Sequence, residues 1–164
     1  MTDRPESVGI GEFMVRRVDE APLGLTIRGL GSCVAVFLYE EGRRLGGLAH
    51  ILLPEPLDGS PLTRPGRFAA TAVAGMLDEI LQRGGRRDRI SAKLAGGSRM
   101  FSNGQPDRET VGERNIKAAL QALDRESIPV AAMDVGGTCG RTLLADIAAG
   151  TMRITSLRHP PREI

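Results

Sequence analysis

Apolar residues along this chain fall mainly into short runs of strand length. Two of these runs, residues 33–40 and 45–53, flank the polar linker 41–44 and therefore predict a β-hairpin. The other predicted strands are residues 11–18, 23–28, 90–95, 130–135, 141–147 and 151–157.

Two longer segments carry apolar residues at helical spacing instead. The first, residues 64–83, has Pro65 in its first turn and ends at a Gly-Gly pair. The second opens on a capping box formed by Thr110 and Glu113 and runs to about residue 125. The predicted buried faces consist of Ala69, Ala72, Val73, Met76, Leu77, Ile80 and Leu81 in the first helix and Ile116, Ala119, Leu120 and Leu123 in the second.

Together these elements predict a single α/β domain of the α+β type, in which mixed and largely antiparallel sheets pack against helices. We expect the domain to span residues 1–157. Residues 158–164 contain two prolines and are predicted to be a flexible tail. A chain of 164 residues is long enough to bury a core without disulfides or a structural metal.

The composition argues against several classes of partner. A net charge of +2 and only five aromatic residues do not suit RNA binding, which needs exposed aromatic side chains for base stacking. No apolar stretch approaches the ~20 residues of a membrane-spanning helix, and the charged N-terminus lacks the apolar centre of a signal peptide. We therefore expect a cytoplasmic protein with reduced thiols, no nucleic-acid partner and no direct membrane insertion.

The sequence also predicts no metal and no cofactor. The two cysteines and two histidines match no usual zinc spacing. The glycine-rich turn at residues 136–142 lacks the P-loop lysine and leads into a strand, and the one at 29–33 lacks the spacing of a dinucleotide fingerprint.

One cysteine and one histidine flank the predicted hairpin at the same end. Cys33 stands at the start of the first strand and His50 near the end of the second, so the two side chains can meet across the ladder. An imidazole beside a thiol can take its proton, and we expect the pKa of Cys33 to lie below the ~8.5 of a free thiol. Gly31 and Ser32 precede Cys33, and backbone N–H groups in this run can face a substrate carbonyl. The segment thus predicts a nucleophile, a base and oxyanion donors.

A structural interpretation of the same residues stays open. Cys33 begins an apolar strand, where small buried cysteines are common, and His50 lies between aliphatic residues. No histidine lies near Cys139 in the sequence, and His159 stands in the proline-containing tail without a residue that would pair with it. We expect Cys139 to be structural.

Six short segments follow one another along the chain: GIGE at 9–12, GLGSCVAV at 29–36, AHILLP at 49–54, AKLAGGSRMF at 92–101, GERN at 112–115 and DVGGTCGR at 134–141. In this order they resemble the CheD family of bacterial chemotaxis. The matches run through nearly the whole chain. The resemblance implies the fold of a cysteine deamidase, related to deamidase domains of bacterial toxins.

The resemblance further implies a hydrolase that converts chemoreceptor glutamines to glutamates and releases ammonia. The family's nucleophile falls on Cys33 and its histidine on His50. The family's third residue, a threonine six positions before the cysteine, falls on Ile27, with Thr26 adjacent. Either a strand bulge brings the Thr26 hydroxyl to His50, or a backbone carbonyl near Ile27 orients the imidazole. The second route resembles the arrangement of the toxin relatives.

The partners implied by the resemblance are chemoreceptor cytoplasmic domains as protein substrates and a CheC-type phosphatase. The same site could hydrolyse a glutamate methyl ester, which passes through the same thioester. One alternative is a catalytically silent module that binds receptors or a CheC-type phosphatase, and another is a thiol hydrolase acting on a different amide or ester. Retention of both Cys33 and His50 favours an active deamidase.

Overall fold

Two five-stranded sheets and two helices form three layers in the computed structural model, which describes residues 4–56, 64–101 and 108–164. The strands are β1 (Glu6–Ser7), β2 (Phe13–Arg17), β3 (Gly24–Leu30), β4 (Val34–Glu40), β5 (Leu45–Ile51), β6 (Ile90–Gly96), β7 (Val130–Val135), β8 (Arg141–Asp146), β9 (Thr151–Thr155) and β10 (Arg162–Glu163), and the helices are α1 (Ala69–Gln82) and α2 (Val111–Arg125). The outer sheet has the order β1-β3-β8-β9-β10, and the central sheet has the order β2-β5-β4-β6-β7. The β1–β3 and β6–β7 pairs are parallel and the others antiparallel, which confirms the predicted α+β class.

The middle of the central sheet, at β4 and β5, is buried on both faces. Along β4, Val36 and Leu38 pack towards the two helices, whereas Ala35 and Phe37 pack towards the outer sheet. All seven residues of β5 are buried as well. Because burial of each large apolar side chain contributes about 1.5–3 kcal/mol, the β4–β5 hairpin is firmly held in the core.

The eight strands predicted from the sequence are all present, with ends shifted by up to two residues. The linker at residues 41–44 joins β4 and β5 as predicted, and the ladder runs from Glu40↔Leu45 to Val34↔Ile51. Strands β1 and β10 were missed because two residues each are too few for a periodic pattern.

The first helix starts later than predicted. Residues Pro65–Arg67 form one 3₁₀ turn, and Phe68 is extended (φ −117°, ψ 146°) before α1 begins at Ala69. Phe68 pairs with Leu53 in an isolated parallel bridge, and the Arg67 carbonyl accepts from the Leu53 N–H. This tertiary pairing overrides the helical spacing at the start of the segment. The predicted capping box of α2 is present, since Thr110 Oγ1 accepts from Glu113 N and the Glu113 carboxylate accepts from Thr110 N.

The C-terminal segment differs from the prediction of a flexible tail at residues 158–164. Arg162–Glu163 forms β10 on the edge of β9, and Ile164 exchanges two backbone hydrogen bonds with Met152. The edge of β9 offers unpaired backbone groups, and the residues after the two prolines have the N–H groups needed to pair with them.

Candidate active site

Cys33 and His50 lie on the same face of the central sheet, as the hairpin predicted. His50 pairs with Ala35 across the β4–β5 ladder, and Cys33 stands two residues before Ala35 in the bend that enters β4. The half-buried Cys33 and Ala35 both pack on the core between the two sheets. Side chains two residues apart along a strand share a face, so Cys33 and His50 are diagonal neighbours on that face.

The ring of His50 is oriented by a backbone carbonyl. His50 is 4% exposed, and its Nδ1 lies 3.4 Å from the carbonyl oxygen of Val8. A carbonyl oxygen only accepts hydrogen bonds, so in the neutral ring the proton resides on Nδ1 and the lone pair on Nε2. Val8 is itself fixed, because its N–H donates to the carbonyl of Thr26 (2.9 Å). This contact leaves Nε2 as the basic atom of the imidazole.

The Thr26 and Ile27 side chains have other partners. The Thr26 hydroxyl donates to the Leu143 carbonyl across the β3–β8 ladder at 2.8 Å. Ile27 is fully buried in the core between the sheets. A bulge does interrupt β3, but it lies beyond Ile27, at the exposed Arg28 and Gly29. Of the two predicted routes, the structure has the carbonyl route, and the carbonyl belongs to Val8 rather than to a residue near Ile27.

The carbonyl groups of the bend before β4 are all held by hydrogen bonds. The Gly31 carbonyl accepts from Ser98 N–H (2.9 Å), and the Cys33 carbonyl accepts from Gly97 N–H (2.8 Å). The Ser32 carbonyl accepts from Asn115 Nδ2 at 2.9 Å. In a planar trans peptide, the N–H of each following residue points the opposite way from the carbonyl.

The N–H groups of this bend are therefore turned away from β6 and α2. Within the described part of the chain, the N–H groups of Gly31 and Ser32 donate to no backbone acceptor, and the Cys33 N–H faces its own Sγ. Unpaired, fixed N–H groups beside a nucleophile are what an oxyanion hole requires. A Cβ at Gly96 would collide with the Cys33 carbonyl oxygen, so the close approach of β6 depends on glycine there.

Burial sets the protonation states of both reactive groups. Desolvation raises the pKa of the Cys33 thiol, against a smaller opposing effect of its own backbone N–H. Burial also lowers the pKa of the His50 imidazole, partly opposed by the Val8 carbonyl. Both directions favour a neutral thiol beside a neutral imidazole. Burial thus acts against the expected lowering of the Cys33 pKa, because it shifts this pKa upward.

Several contributors to this site were missed in the sequence. Val8 and Ser98 act through backbone atoms, which leave no residue-type signal, and Asn115 lies 83 positions from Ser32. The only available sign of Asn115 was its place in the GERN segment of the family resemblance.

Cys139 is linked to the bend before β4 through Ser98, whose Oγ donates to the Cys139 carbonyl (2.7 Å) and whose N–H donates to the Gly31 carbonyl (2.9 Å), and Cys139 shares its surroundings with His159. Cys139 and His159 line a cavity of about 300 Å³ beside Asp134, Arg141 and Arg162. Arg141 pairs with Asp134 at 2.9 Å and donates to Ser98 Oγ at 2.6 Å. Both cysteines are free thiols.

The described residues contain no group of three His, Cys, Asp or Glu side chains arranged to hold a metal ion. Among the same residues, no helix has the length and apolar character needed to cross a bilayer.

Comparison with known proteins identifies the family. The family model described as CheD chemotactic sensory transduction matches residues 52–156. The Probable chemoreceptor glutamine deamidase CheD of Desulforamulus reducens is 40% identical over 159 residues, covering 96% of this chain and 93% of that protein. The proteins of the same name from Moorella thermoacetica and Pyrococcus abyssi are 39% and 36% identical, covering 96% and 92% of this chain and 93% and 91% of their own lengths.

A solved structure, the crystal structure of Bacillus licheniformis hypothetical protein YfiH, is similar with a TM-score of 0.47 and 16% identity. The match covers 83% of this chain, which spans 59% of that protein. The family match and the near full-length relatives agree, and this chain belongs to the CheD family.

Proposed function

We propose that this protein is a chemoreceptor glutamine deamidase that acts through a Cys33 thioester, with His50 as general base and acid. One observation carries the proposal. The Cys33 thiol and the His50 ring share one face at one end of the β4–β5 hairpin, and His50 Nδ1 donates a hydrogen bond to the Val8 carbonyl. The relatives named chemoreceptor glutamine deamidase support the substrate class.

The first half of the reaction releases ammonia. Nε2 of His50 takes the Cys33 proton as Sγ attacks the carboxamide carbon of the substrate glutamine. The negative charge that develops on the amide oxygen is stabilised by the N–H groups of Ser32 and Cys33. The imidazolium then returns the proton to the departing nitrogen, the C–N bond breaks, and a thioester with free ammonia remains.

The second half regenerates the enzyme. Water attacks the thioester carbon while Nε2 takes one of its protons. The C–S bond breaks, the thiolate recovers that proton from the imidazolium, and glutamate is released. The Val8 carbonyl stabilises the imidazolium in both halves because it accepts from Nδ1 throughout.

The neutral resting pair suits this scheme. Burial disfavours both a free thiolate and a free imidazolium, so the proton moves only when substrate positions an electrophile at Sγ. This limits reaction of the thiol with other electrophiles.

Incubation with purified chemoreceptor cytoplasmic domains tests the proposal. We expect ammonia release and a mass shift at particular receptor glutamines, read by peptide mass spectrometry. Cys33→Ser should lose both signals and Cys139→Ser should keep them. Receptors that are bound but unmodified by the wild-type protein would support the silent-module alternative instead.

A CheC-type phosphatase partner follows from the family resemblance, the cytoplasmic location from the sequence composition, and hydrolysis of glutamate methyl esters from the shared thioester. All three stay predictions. Receptor domains carrying methyl esters, assayed for methanol beside ammonia, distinguish ester from amide hydrolysis.

A further inference from the structure

Asn115 is a wholly buried amide that binds two carbonyl groups from two separate segments of the chain. It lies in the second turn of α2 and is 0% exposed. Its Nδ2 donates to the Ser32 carbonyl at 2.9 Å and to the Leu52 carbonyl at 3.1 Å. Both donors of the amide are therefore used on backbone oxygens.

The two carbonyls belong to the segments that carry the nucleophile and the base. Ser32 directly precedes Cys33, and Leu52 follows His50 by two residues. The β4–β5 ladder ends at Val34↔Ile51, so its next pair along the hairpin would be residues 33 and 52. Beyond the last ladder pair, the amide of Asn115 ties the two segments together.

The tie at Ser32 has a consequence for the following peptide N–H. Because the peptide between Ser32 and Cys33 is planar and trans, fixing its oxygen towards α2 fixes the Cys33 N–H in the opposite direction. That N–H is one of the two proposed oxyanion donors. Rotation of this peptide would replace the donor with a carbonyl oxygen, which repels an oxyanion.

We propose that Asn115 is a positioning residue that holds the Ser32–Cys33 peptide in the orientation that stabilises the oxyanion. The inference rests on the proposed deamidase function. Asn115 acts on the developing charge and not on the nucleophilicity of the thiol, since neither of its donors is bound to Cys33 Sγ or to the His50 ring. The Oδ1 atom of Asn115 has no hydrogen-bond partner among the described residues, so within them this side chain interacts only through its two donated hydrogen bonds.

Two reactions of the same thiol separate these effects. Glutamine deamidation passes through an oxyanion, whereas alkylation of Cys33 by iodoacetamide is substitution at a saturated carbon and forms none. For Asn115→Asp and Asn115→Ala we expect kcat for receptor deamidation to fall about a hundredfold, the range for loss of one oxyanion donor. We expect KM, and the Cys33 alkylation rate per folded protein, to stay within threefold of the wild-type values.

Leu123→Ala is the matched control, because Leu123 is a buried residue of the same helix two turns further on. It removes packing from α2 and should leave kcat per folded protein within twofold. If neither Asn115 variant folds, Asn115→Gln allows the same comparison of deamidation with alkylation. It keeps both N–H donors but moves them by one methylene group.

Equal losses in deamidation and alkylation would show that Asn115 positions the thiol, and unchanged deamidation would show that it positions nothing. Either result overturns the inference while the wild-type deamidation stands. Wild-type protein that alkylates at Cys33 but deamidates no receptor overturns the proposed function, and the Asn115 inference with it.

Discussion

This chain contains two cysteine–histidine combinations, and their surroundings differ. Cys33 and His50 lie on a hairpin buried on both faces, and a carbonyl holds the imidazole. Cys139 and His159 line one cavity, but Cys139 lies in a turn and His159 is exposed, with its backbone N–H on Ser156 Oγ. Residues that line one cavity need not face each other. In the hairpin, the ladder places the Cys33 and His50 side chains on one face, and the Val8 carbonyl fixes the tautomer of the His50 ring. Of the two, the Cys33–His50 arrangement is the one that meets the requirements of the proposed nucleophile and base.

The largest expected contrast is between the two cysteines. Cys33→Ser should lower kcat for receptor deamidation about a thousandfold or more, because a hydroxyl is far harder for a neutral imidazole to activate. Cys139→Ser should stay within twofold. Ammonia release on one receptor preparation measures both. A comparable loss in the two variants would indicate that the second cavity takes part in the reaction.

The two histidines should differ next. His50→Ala should lower kcat about a hundredfold or more, since the general base and the proton donor to ammonia are both lost. His159→Ala should be within twofold of wild type. Steady-state kinetics with circular dichroism as a check on folding would decide this, and an active His50→Ala would exclude the imidazole as base.

The pH dependence should reflect burial. Because burial lowers the pKa of His50, the neutral base persists below pH ~6.5, and kcat/KM should fall tenfold per pH unit only below that value. Because burial raises the pKa of Cys33, its alkylation rate should rise with pH through a midpoint above ~8.5. Iodoacetamide rates read by mass spectrometry give this midpoint, and one below 8.5 would mean a preformed thiolate–imidazolium pair.

The smallest effects are expected at the position that departs from the family pattern. Thr26→Val should cost less than tenfold in kcat, because the hydroxyl donates to Leu143 and not to His50. Loss of this buried hydrogen bond should cost about 1 kcal/mol of unfolding free energy. Turnover and chemical denaturation measured together check both numbers, and a hundredfold loss of turnover in folded Thr26→Val would give the hydroxyl a role in catalysis.

Ile27→Thr tests the neighbouring position. The sequence alone suggests that restoring a threonine is tolerated, but Ile27 is fully buried between the sheets. A hydroxyl there should destabilise the fold by about 1–3 kcal/mol without raising kcat. A gain in turnover would show that the hydroxyl reaches His50.

Patterns within one segment were predictable, and contacts between distant segments were not. The hairpin that joins Cys33 to His50 and the capping box at Thr110 follow from local periodicity and spacing. The Val8 contact with His50 depends on a two-residue parallel strand, which has no periodicity to detect. The pKa directions also needed the structure, because a Cys–His pattern says nothing about burial.

The contact between the Val8 carbonyl and His50 has a consequence for how the protein acquires its reactivity. It joins residues 42 positions apart, and the tie from Asn115 to Ser32 spans 83 positions. Such long-range contacts form late in folding, because the intervening chain must first be ordered. During synthesis, a chain that has emerged only as far as the hairpin contains the thiol and the imidazole but lacks the helix that fixes the bend. The oxyanion site proposed at this bend is thus complete only once α2 has packed against it.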